Sequence, residues 1–255
     1  MAWEISAAGR PSGHWRHQDR HIVVPLADKR RTCIGVLDGH GEDEKSVEFC
    51  LRTIEAKMRE EGIGEDYNTH RVFLNLADEL RNGTDAFEDG CALSLAILGA
   101  DGRASLMTIG DTFACAGRII EGTVSLSWID PHEVFGNDEE RARLKEAGAK
   151  VGHGYVHDKA DKNLLAMSRS LGDAPFQGIV SREMTYLPIG RPNSPHGQFV
   201  ILGTDGYFNM AMPERMNMSW LYGVKQKWKA HEFLQAATHR LRERADDATV
   251  AVAYF

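Results

Sequence analysis

The sequence predicts an α+β fold in which helices cover the outer faces of stacked antiparallel sheets. Apolar residues recur at helical spacing in two consecutive segments, and after this pair the pattern changes to short β-type runs. Asp101-Gly102 and Glu121-Gly122 join neighbouring runs, and such tight turns favour antiparallel hairpins. Helices and strands therefore do not alternate as they do in a parallel α/β fold.

The beginning of the chain is predicted to be irregular and then to form two strands. Glycine and proline recur within residues 1–18, which disfavours regular structure there. Residues 21–26 and 32–38 are rich in β-type side chains and predict the first two strands.

Two helices follow these strands. The first is predicted over residues 43–60 and is ended by Gly62, and the second over residues 68–81 is ended by Asn82-Gly83. Each places its larger apolar residues on one face, which are Val47, Leu51, Ile54 and Met58 in the first and Val72, Leu76 and Leu80 in the second.

The remaining elements are mainly strands. Short strands are predicted over residues 91–98, 103–109, 113–120, 123–129, 198–204 and 248–255. Helices are predicted over residues 138–147, where Gly148 provides the cap, and near residues 230–243.

Composition indicates an ordinary globular protein. The 255 residues suit one domain covering residues 1–255. A net charge of −7 without a long basic run argues against nucleic acid as a partner. The four cysteines form no Cys-x-x-Cys pair, and no signal peptide or membrane span is recognised. We therefore expect a monomer in the cytoplasm, with free thiols and no membrane contact.

Acidic residues beside glycine or a second acid adjoin three of the β-type runs. They are Asp38, followed by Gly39-His40-Gly41; Asp205, followed by Gly206; and Asp246, followed by Asp247. A carboxylate at the end of a buried strand is costly unless its charge is compensated, and several together indicate a divalent cation held by oxygen ligands. Asp19 is a further candidate ligand. The alternative for each residue alone is a turn-capping aspartate.

Five elements of the sequence stand in a recognisable order. Residues 36–41 resemble F-D-G-H-G-G, 109–112 resemble V-G-D-S, 167–173 resemble V-S-R-A-L-G-D, 203–206 resemble A-S-D-G, and 246–250 resemble D-N-x-T-V. In this order the motifs resemble those of metal-dependent protein phosphatases of the type 2C (PPM) family. The resemblance implies an α/β/β/α sandwich of two antiparallel sheets flanked by helices, with metal ions at one end of the sheets.

The resemblance also implies which residues form the site. Asp38 would bridge two Mn²⁺ or Mg²⁺ ions, with Gly39 offering its carbonyl oxygen, and phosphoprotein substrates would lose phosphate from serine or threonine. Asp205 and Asp246 would hold one ion, Asp19 would lie in the surrounding shell, and Asp111 would hold a third, weakly bound ion. For Asp111 the alternative is again a turn cap, and for Asp173 a structural role is expected.

His40 lies two residues from the proposed bridging carboxylate. Histidine titrates near neutral pH, so His40 is a candidate general acid that protonates the leaving serine or threonine oxygen. The alternative is a hydrogen bond to a backbone carbonyl. His153 and His157 lie in a glycine-rich segment and are expected to be loop residues of the mobile flap that the resemblance implies beside the site.

Several positions depart from the family pattern. His14 stands where an arginine usually grips the phosphate, and we expect Arg16 to take over that role. The other departures are Gln18, Glu42, Phe113 and Asp247. These departures leave open a pseudophosphatase that binds phosphoproteins without turnover. The histidines at 14, 17 and 21 raise a third possibility, a zinc hydrolase, although glycine and proline disfavour the helix that their spacing requires.

Overall fold

A computed structural model describes residues 2–11, 17–60, 69–190, 197–207, 218–238 and 247–255. Its strands in chain order are β1 Glu4–Arg10, β2 Arg20–Pro25, β3 Arg31–His40, β4 Gly90–Gly99, β5 Ala104–Ile109, β6 Phe113–Ile120, β7 Thr123–Ile129, β8 Val151–Gly152, β9 Tyr155–His157, β10 Leu164–Leu165, β11 Leu171–Gly172, β12 Thr185–Ile189, β13 Gln198–Gly203 and β14 Ala248–Tyr254. Its helices are α1 Lys45–Glu60, α2 Thr69–Thr84, α3 Asp138–Glu146, α4 Met218–Lys225 and α5 Ala230–Thr238.

Two antiparallel sheets form the centre of the fold. The first has strand order β1-β14-β13-β6-β7, and the second has order β12-β5-β4-β3-β2 with β11 added beside β4. A third, small sheet of order β10-β9-β8 lies apart from them. The hairpins β4–β5 and β6–β7 confirm the turns predicted at Asp101-Gly102 and Glu121-Gly122.

Among the described residues, three of the four clusters of buried apolar residues lie between neighbouring layers of helices and sheets, which confirms the predicted four-layer sandwich. Side chains alternate across β3, so that Leu37 faces α1 and α2 while Ile34 and Val36 face the other sheet. The layer between the sheets also contains Leu106 of β5 and Leu202 of β13. The outer face of the first sheet packs against α4 and α5.

The prediction of irregular structure over residues 1–18 is wrong for the first part of that segment. Residues 4–10 form β1, which pairs along the length of β14. Ala, Gly and Arg make up much of β1, so its composition does not signal a strand. The strand is instead stabilised by backbone pairing, and Ile5 and Ala7 pack against the layer between the sheets.

The predicted helix end at Asn82-Gly83 is also wrong, because α2 continues to Thr84. A Cβ atom on Gly83 would lie 2.0 Å from Cζ of Phe49 on α1. A side chain at position 83 would displace the Phe49 ring, so glycine here allows the ring to approach α2 closely and does not terminate the helix. The hydroxyl of Thr84 donates a hydrogen bond to the Leu80 carbonyl, 2.8 Å away.

The structure also differs from the prediction in the segment that follows α3. His157 lies in β9, while His153 occupies the turn before it with φ of 52°. The strands β8 to β12 are two to five residues long, too short to give a clear period in the sequence. Within the described ranges, no helix has the length and apolar composition required to cross a membrane.

The first prediction concerns the layer between the sheets. Leu106→Ala removes a fully buried side chain, and we expect it to lower the free energy of unfolding by about 2–5 kcal/mol. Leu74→Ala is the matched control, because Leu74 is half-exposed on α2 and its loss should change stability by less than about 0.5 kcal/mol. Urea denaturation measures both, and equal losses in the two variants would contradict the assignment of this layer.

Candidate functional site

The carboxyl-rich segments of the chain meet where the ends of the two sheets approach each other. A Cβ atom on Gly206 would lie 1.7 Å from the carbonyl oxygen of Asp247, so the segment after β13 is in direct contact with the start of β14. The Gln18 side chain donates hydrogen bonds to the carbonyl oxygens of Gly41 at 3.1 Å and Asp43 at 2.9 Å. The segment before β2 is thereby held to the loop after β3.

Asp19 connects the two sheets at this end. Its carboxylate accepts a hydrogen bond of 2.8 Å from the Thr204 hydroxyl, and only 3% of the residue is exposed. The backbone N–H of Thr249 in turn donates to the Thr204 hydroxyl at 3.0 Å. Asp19 directly precedes β2 of the second sheet, whereas Thr204 and Thr249 lie at neighbouring strand ends of the first sheet. The hydrogen bonds among these three residues therefore join the two sheets at this end.

The structure brings Asp19, Asp38, Asp111 and Asp205 close enough for their charges to affect one another. Burial raises the pKa of Asp38 well above its ordinary value, and the charges of Asp19, Asp205 and Asp111 raise it further. Burial also raises the pKa of Asp19 to about 8, with the charges of Asp247 and Asp205 adding to the effect and the Thr204 hydrogen bond opposing it. The surroundings therefore do not compensate the charge that these carboxyl groups would carry if all of them were ionised.

Asp111 follows β5 and faces the same cluster. Burial, supported by the charge of Asp205, raises its pKa to about 8. Its Oδ1 atom is buried and has no hydrogen-bond partner among the described residues. The hydroxyl of the next residue, Thr112, lies 2.9 Å from that of Ser94 on β4, which holds this turn against the second sheet.

The donor set fits a divalent cation in its chemistry. Mn²⁺ and Mg²⁺ prefer carboxylate and carbonyl oxygens, and a cation would replace the protons that burial and repulsion impose on these acids. The uncompensated Oδ1 of Asp111 is the clearest sign of this fit. Within the described ranges, no three acidic, histidine or cysteine side chains already form a metal-holding group. Asp246, the remaining predicted ligand, lies outside those ranges.

His40 is the last residue of β3 and contacts an acid that the sequence analysis did not pair with it. Its Nε2 lies 2.8 Å from Oδ2 of Asp173, which also accepts a hydrogen bond from the Ser170 hydroxyl. Burial alone would lower the pKa of His40, but the charge and hydrogen bond of Asp173 raise it. The two residues are 133 positions apart, so the sequence could mark each motif but not their contact.

Residues 168–170 are held in place by ion pairs and hydrogen bonds to the buried carboxylate of Glu140. Arg169 donates two hydrogen bonds to Oε1 of Glu140, and the Ser168 hydroxyl donates one to Oε2. Arg143 lies beside the same carboxylate. Burial raises the pKa of Glu140, yet the hydrogen bonds from Arg169 and Ser168 outweigh it and hold the value at about 2. Sequence reasoning did not identify Glu140, which lies on the short polar helix α3.

The histidines proposed for a zinc site are not brought together as far as the structure describes them. Nδ1 of His17 lies 3.1 Å from Oδ2 of Asp247, and the backbone N–H of Gln18 donates to the same atom at 2.9 Å. His21 lies on the exposed side of β2. His14 lies outside the described residues, as does Arg16, the residue predicted to bind the phosphate.

The chain is similar in sequence and in fold to known proteins. The family model for protein phosphatase 2C matches residues 19–245. No curated protein sequence matches the chain significantly. A serine-threonine phosphatase 2C from Toxoplasma gondii has a similar solved structure, with TM-score 0.77 and 14% identity over 99% of this chain and 95% of that one.

Two bacterial structures also share the fold. A serine/threonine phosphatase from S. agalactiae has TM-score 0.62 and 17% identity over 99% of both chains. Another from Staphylococcus aureus has TM-score 0.64 and 12% identity over 100% of this chain and 96% of that one. At these identities the structural matches establish the fold, whereas the family match rests on the sequence.

The second prediction concerns the excess charge of the acidic cluster. The folded pKa of Asp111 is raised from 3.8 to about 8, so its contribution to stability is complete below pH 3.8 and is lost as the pH rises to about 8. An asparagine side chain at this position does not titrate and has no such dependence. In the presence of a chelator, we therefore expect Asp111→Asn to gain stability relative to wild type as the pH rises from 5 to 8.

Urea denaturation at the two pH values measures this difference. Asp78→Asn is the control, since Asp78 is an exposed residue of α2 paired with Arg81 and should show little change between the two conditions. A stability difference between Asp111→Asn and wild type that is the same at both pH values would show that Asp111 is not buried among like charges.

Proposed function

Because the chain belongs to the protein phosphatase 2C family, we propose that it hydrolyses phosphoserine and phosphothreonine in proteins with the help of two Mn²⁺ or Mg²⁺ ions. The observation that supports this proposal is the cluster of buried carboxyl groups at the ends of the two sheets, beside His40. A phosphoprotein substrate is the expected partner.

The proposed ligands come from both sheets. Asp38 would bridge the ions and Gly39 would offer its carbonyl oxygen, while Asp205 and Asp246 would hold one ion. Asp19 would orient the surrounding shell through its hydrogen bond from Thr204. When bound, the ions would supply a nucleophile by lowering the pKa of water and would neutralise charge on the phosphoryl oxygens.

Asp111 is proposed as a ligand of a third, weakly bound ion. Its position supports this role, because its carboxyl group interacts with those of Asp38 and Asp205 while its Oδ1 has no partner among the described residues. Asp111 would hold this ion near the carboxyl group of Asp205, with which its own carboxyl group interacts. The turn-capping alternative would leave that buried oxygen uncompensated.

The remaining steps belong to side chains around the cluster. Hydrolysis of a serine or threonine phosphate leaves an alkoxide that must gain a proton. His40 lies two residues from Asp38 on the same strand, and its Nε2 is engaged by Asp173, so Nδ1 is the atom that can deliver this proton. We propose that Arg16 binds the phosphate, since its guanidinium group can donate to two phosphate oxygens at once.

A pseudophosphatase is the second candidate function, favoured by one observation. His14 occupies the position where the family usually has the phosphate-binding arginine. A protein of this kind would retain the fold and bind phosphorylated partners without turnover. Release of phosphate from a phosphopeptide in the presence of Mn²⁺ separates the two candidates, because only the enzyme would release it.

The third prediction concerns the metal ligands. Asp205→Asn removes one negative charge from the proposed centre, and affinity of such sites depends on ligand charge. We expect the affinity for Mn²⁺, measured by calorimetry, and phosphopeptide hydrolysis at limiting Mn²⁺ to fall together while the fold is retained. Asp78→Asn serves as the control and should match wild type in both. Unchanged hydrolysis by the Asp205 variant at limiting Mn²⁺ would remove Asp205 from the ligand set.

The fourth prediction concerns the phosphate. Arg16→Ala should raise KM for phosphopeptides much more than it changes the affinity for Mn²⁺, because it removes a donor to the substrate but no ligand. His14→Ala is the control with a nearby position and should change KM little. Steady-state kinetics with saturating Mn²⁺ measure both variants. If Arg16→Ala behaves as wild type, the phosphate is bound elsewhere.

A further inference from the structure

The contact between His40 and Asp173 has the features of an arrangement that orients the imidazole ring. The two side chains meet at 2.8 Å between Nε2 and Oδ2, and 23% and 6% of them are exposed. An ionised carboxylate can only accept hydrogen bonds, so Nε2 must carry the hydrogen of this contact. A partner of this kind selects one tautomer and one orientation of a histidine ring.

The surrounding backbone makes room for this contact. Gly90 on β4 pairs directly with His40 on β3. A Cβ atom on Gly90 would lie 2.0 Å from Nε2 of His40 and 2.3 Å from Oδ2 of Asp173. Any side chain at position 90 would therefore displace the imidazole or the carboxylate, and the absence of one allows them to meet.

Two hydrogen bonds hold Asp173 in place, and its backbone conformation is an unusual one. The Ser170 hydroxyl donates to the same oxygen that contacts His40. The backbone N–H of Asp173 donates to the Asp89 carbonyl at 3.1 Å. Its φ of 53° lies in the left-handed region, which a non-glycine residue adopts only where its surroundings enforce it. The carboxylate thus has a fixed position before any substrate binds.

The other ring nitrogen of His40 is not engaged in the same way. Nδ1 is buried and has no hydrogen-bond partner among the described residues. Buried polar atoms are usually paired, and an unpaired one at a candidate active site is a position where a substrate atom can complete the hydrogen bonding.

We infer that Asp173 is a positioning residue for the proton transfer, which fixes the His40 ring through Nε2 so that Nδ1 faces the leaving oxygen of the substrate. In this step the ring carries a hydrogen on each nitrogen, and a water oxygen bonds to phosphorus as the P–O bond to the serine or threonine oxygen breaks. The Nδ1–H bond breaks at the same time, and its proton passes to the leaving oxygen. The inference rests on the proposed function, because it requires His40 to act as the general acid.

The test uses a double-mutant cycle of Asp173→Asn and His40→Ala on two substrates with saturating Mn²⁺. A phosphothreonine peptide has a poor leaving group that needs protonation, whereas p-nitrophenyl phosphate has a good one that does not. Asparagine keeps the shape of aspartate but can present an N–H to Nε2 and so select the other tautomer. Thermal unfolding and Mn²⁺ calorimetry check that each variant retains the fold and the metal centre.

We expect His40→Ala to lower kcat for the peptide by about 10²–10⁴-fold and to affect the aryl phosphate much less. Asp173→Asn should lower kcat for the peptide by about 10–100-fold, the range typical of residues that orient a functional histidine, with KM unchanged. In the His40→Ala background, Asp173→Asn should have no further effect. Ser170→Ala should also lower kcat for the peptide more than for the aryl phosphate, but by a smaller factor than Asp173→Asn. If Asp173→Asn does not fold, Ser170→Ala takes its place in the test.

Each contrary result has a distinct meaning. If Asp173→Asn, or Ser170→Ala in its place, lowers the activity on both substrates equally, or multiplies the loss caused by His40→Ala, the residue has only a structural role and the inference is overturned. If His40→Ala leaves the peptide kcat unchanged, the acid assignment and the inference fail while the metal-dependent function stands. If wild type releases phosphate from neither substrate, the proposed function and the inference fail together.

Discussion

The structure depends on the burial of several carboxyl groups at the place where the ends of the two sheets meet. Like charges that are removed from water destabilise the folded state unless protons or cations neutralise them. Burial raises the pKa of Asp19 and of Asp111 to about 8, so protons would take this role at neutral pH where no cation is bound. A fold that retains such a cluster is suited to binding divalent ions, and the hydrogen bond between Thr204 and Asp19 shows how the cluster also joins the sheets.

The segment around residues 168–173 links the other parts of the site. Its first residues are held by Glu140 of α3, through Arg169 and Ser168. Its last residue contacts His40 and is supported by Ser170. One short segment therefore connects α3 to the imidazole of His40 at the end of β3.

An element of the fold could be predicted where its own residues form a clear sequence pattern. The hairpins β4–β5 and β6–β7 were predicted within two residues, because their turns carry acidic-glycine dipeptides and their strands are apolar. The strand β1 was missed because pairing with β14 stabilises it, and pairing depends on residues far along the chain. Gly83 was misinterpreted for a similar reason, since the Phe49 ring that requires it belongs to another helix.

The candidate site likewise contains residues that the sequence identifies and contacts that it does not. Motif residues such as Asp38 and His40 could be selected from the sequence, because acidic residues recur at several strand ends in one order along the chain, although each of them alone could cap a turn. Their partners could not, since the contact of His40 with Asp173 spans 133 positions and that of Asp19 with Thr204 spans 185. Contacts over such separations are set by how the sheets pack, and no local pattern records them.

The most direct test of this account is the release of phosphate from a phosphothreonine peptide by protein stripped with a chelator and then titrated with Mn²⁺. The account predicts no measurable release from the stripped protein and a saturable return of activity as Mn²⁺ binds, with binding followed in parallel by calorimetry. Binding of Mn²⁺ without release of phosphate, or release that the chelator does not abolish, would contradict it.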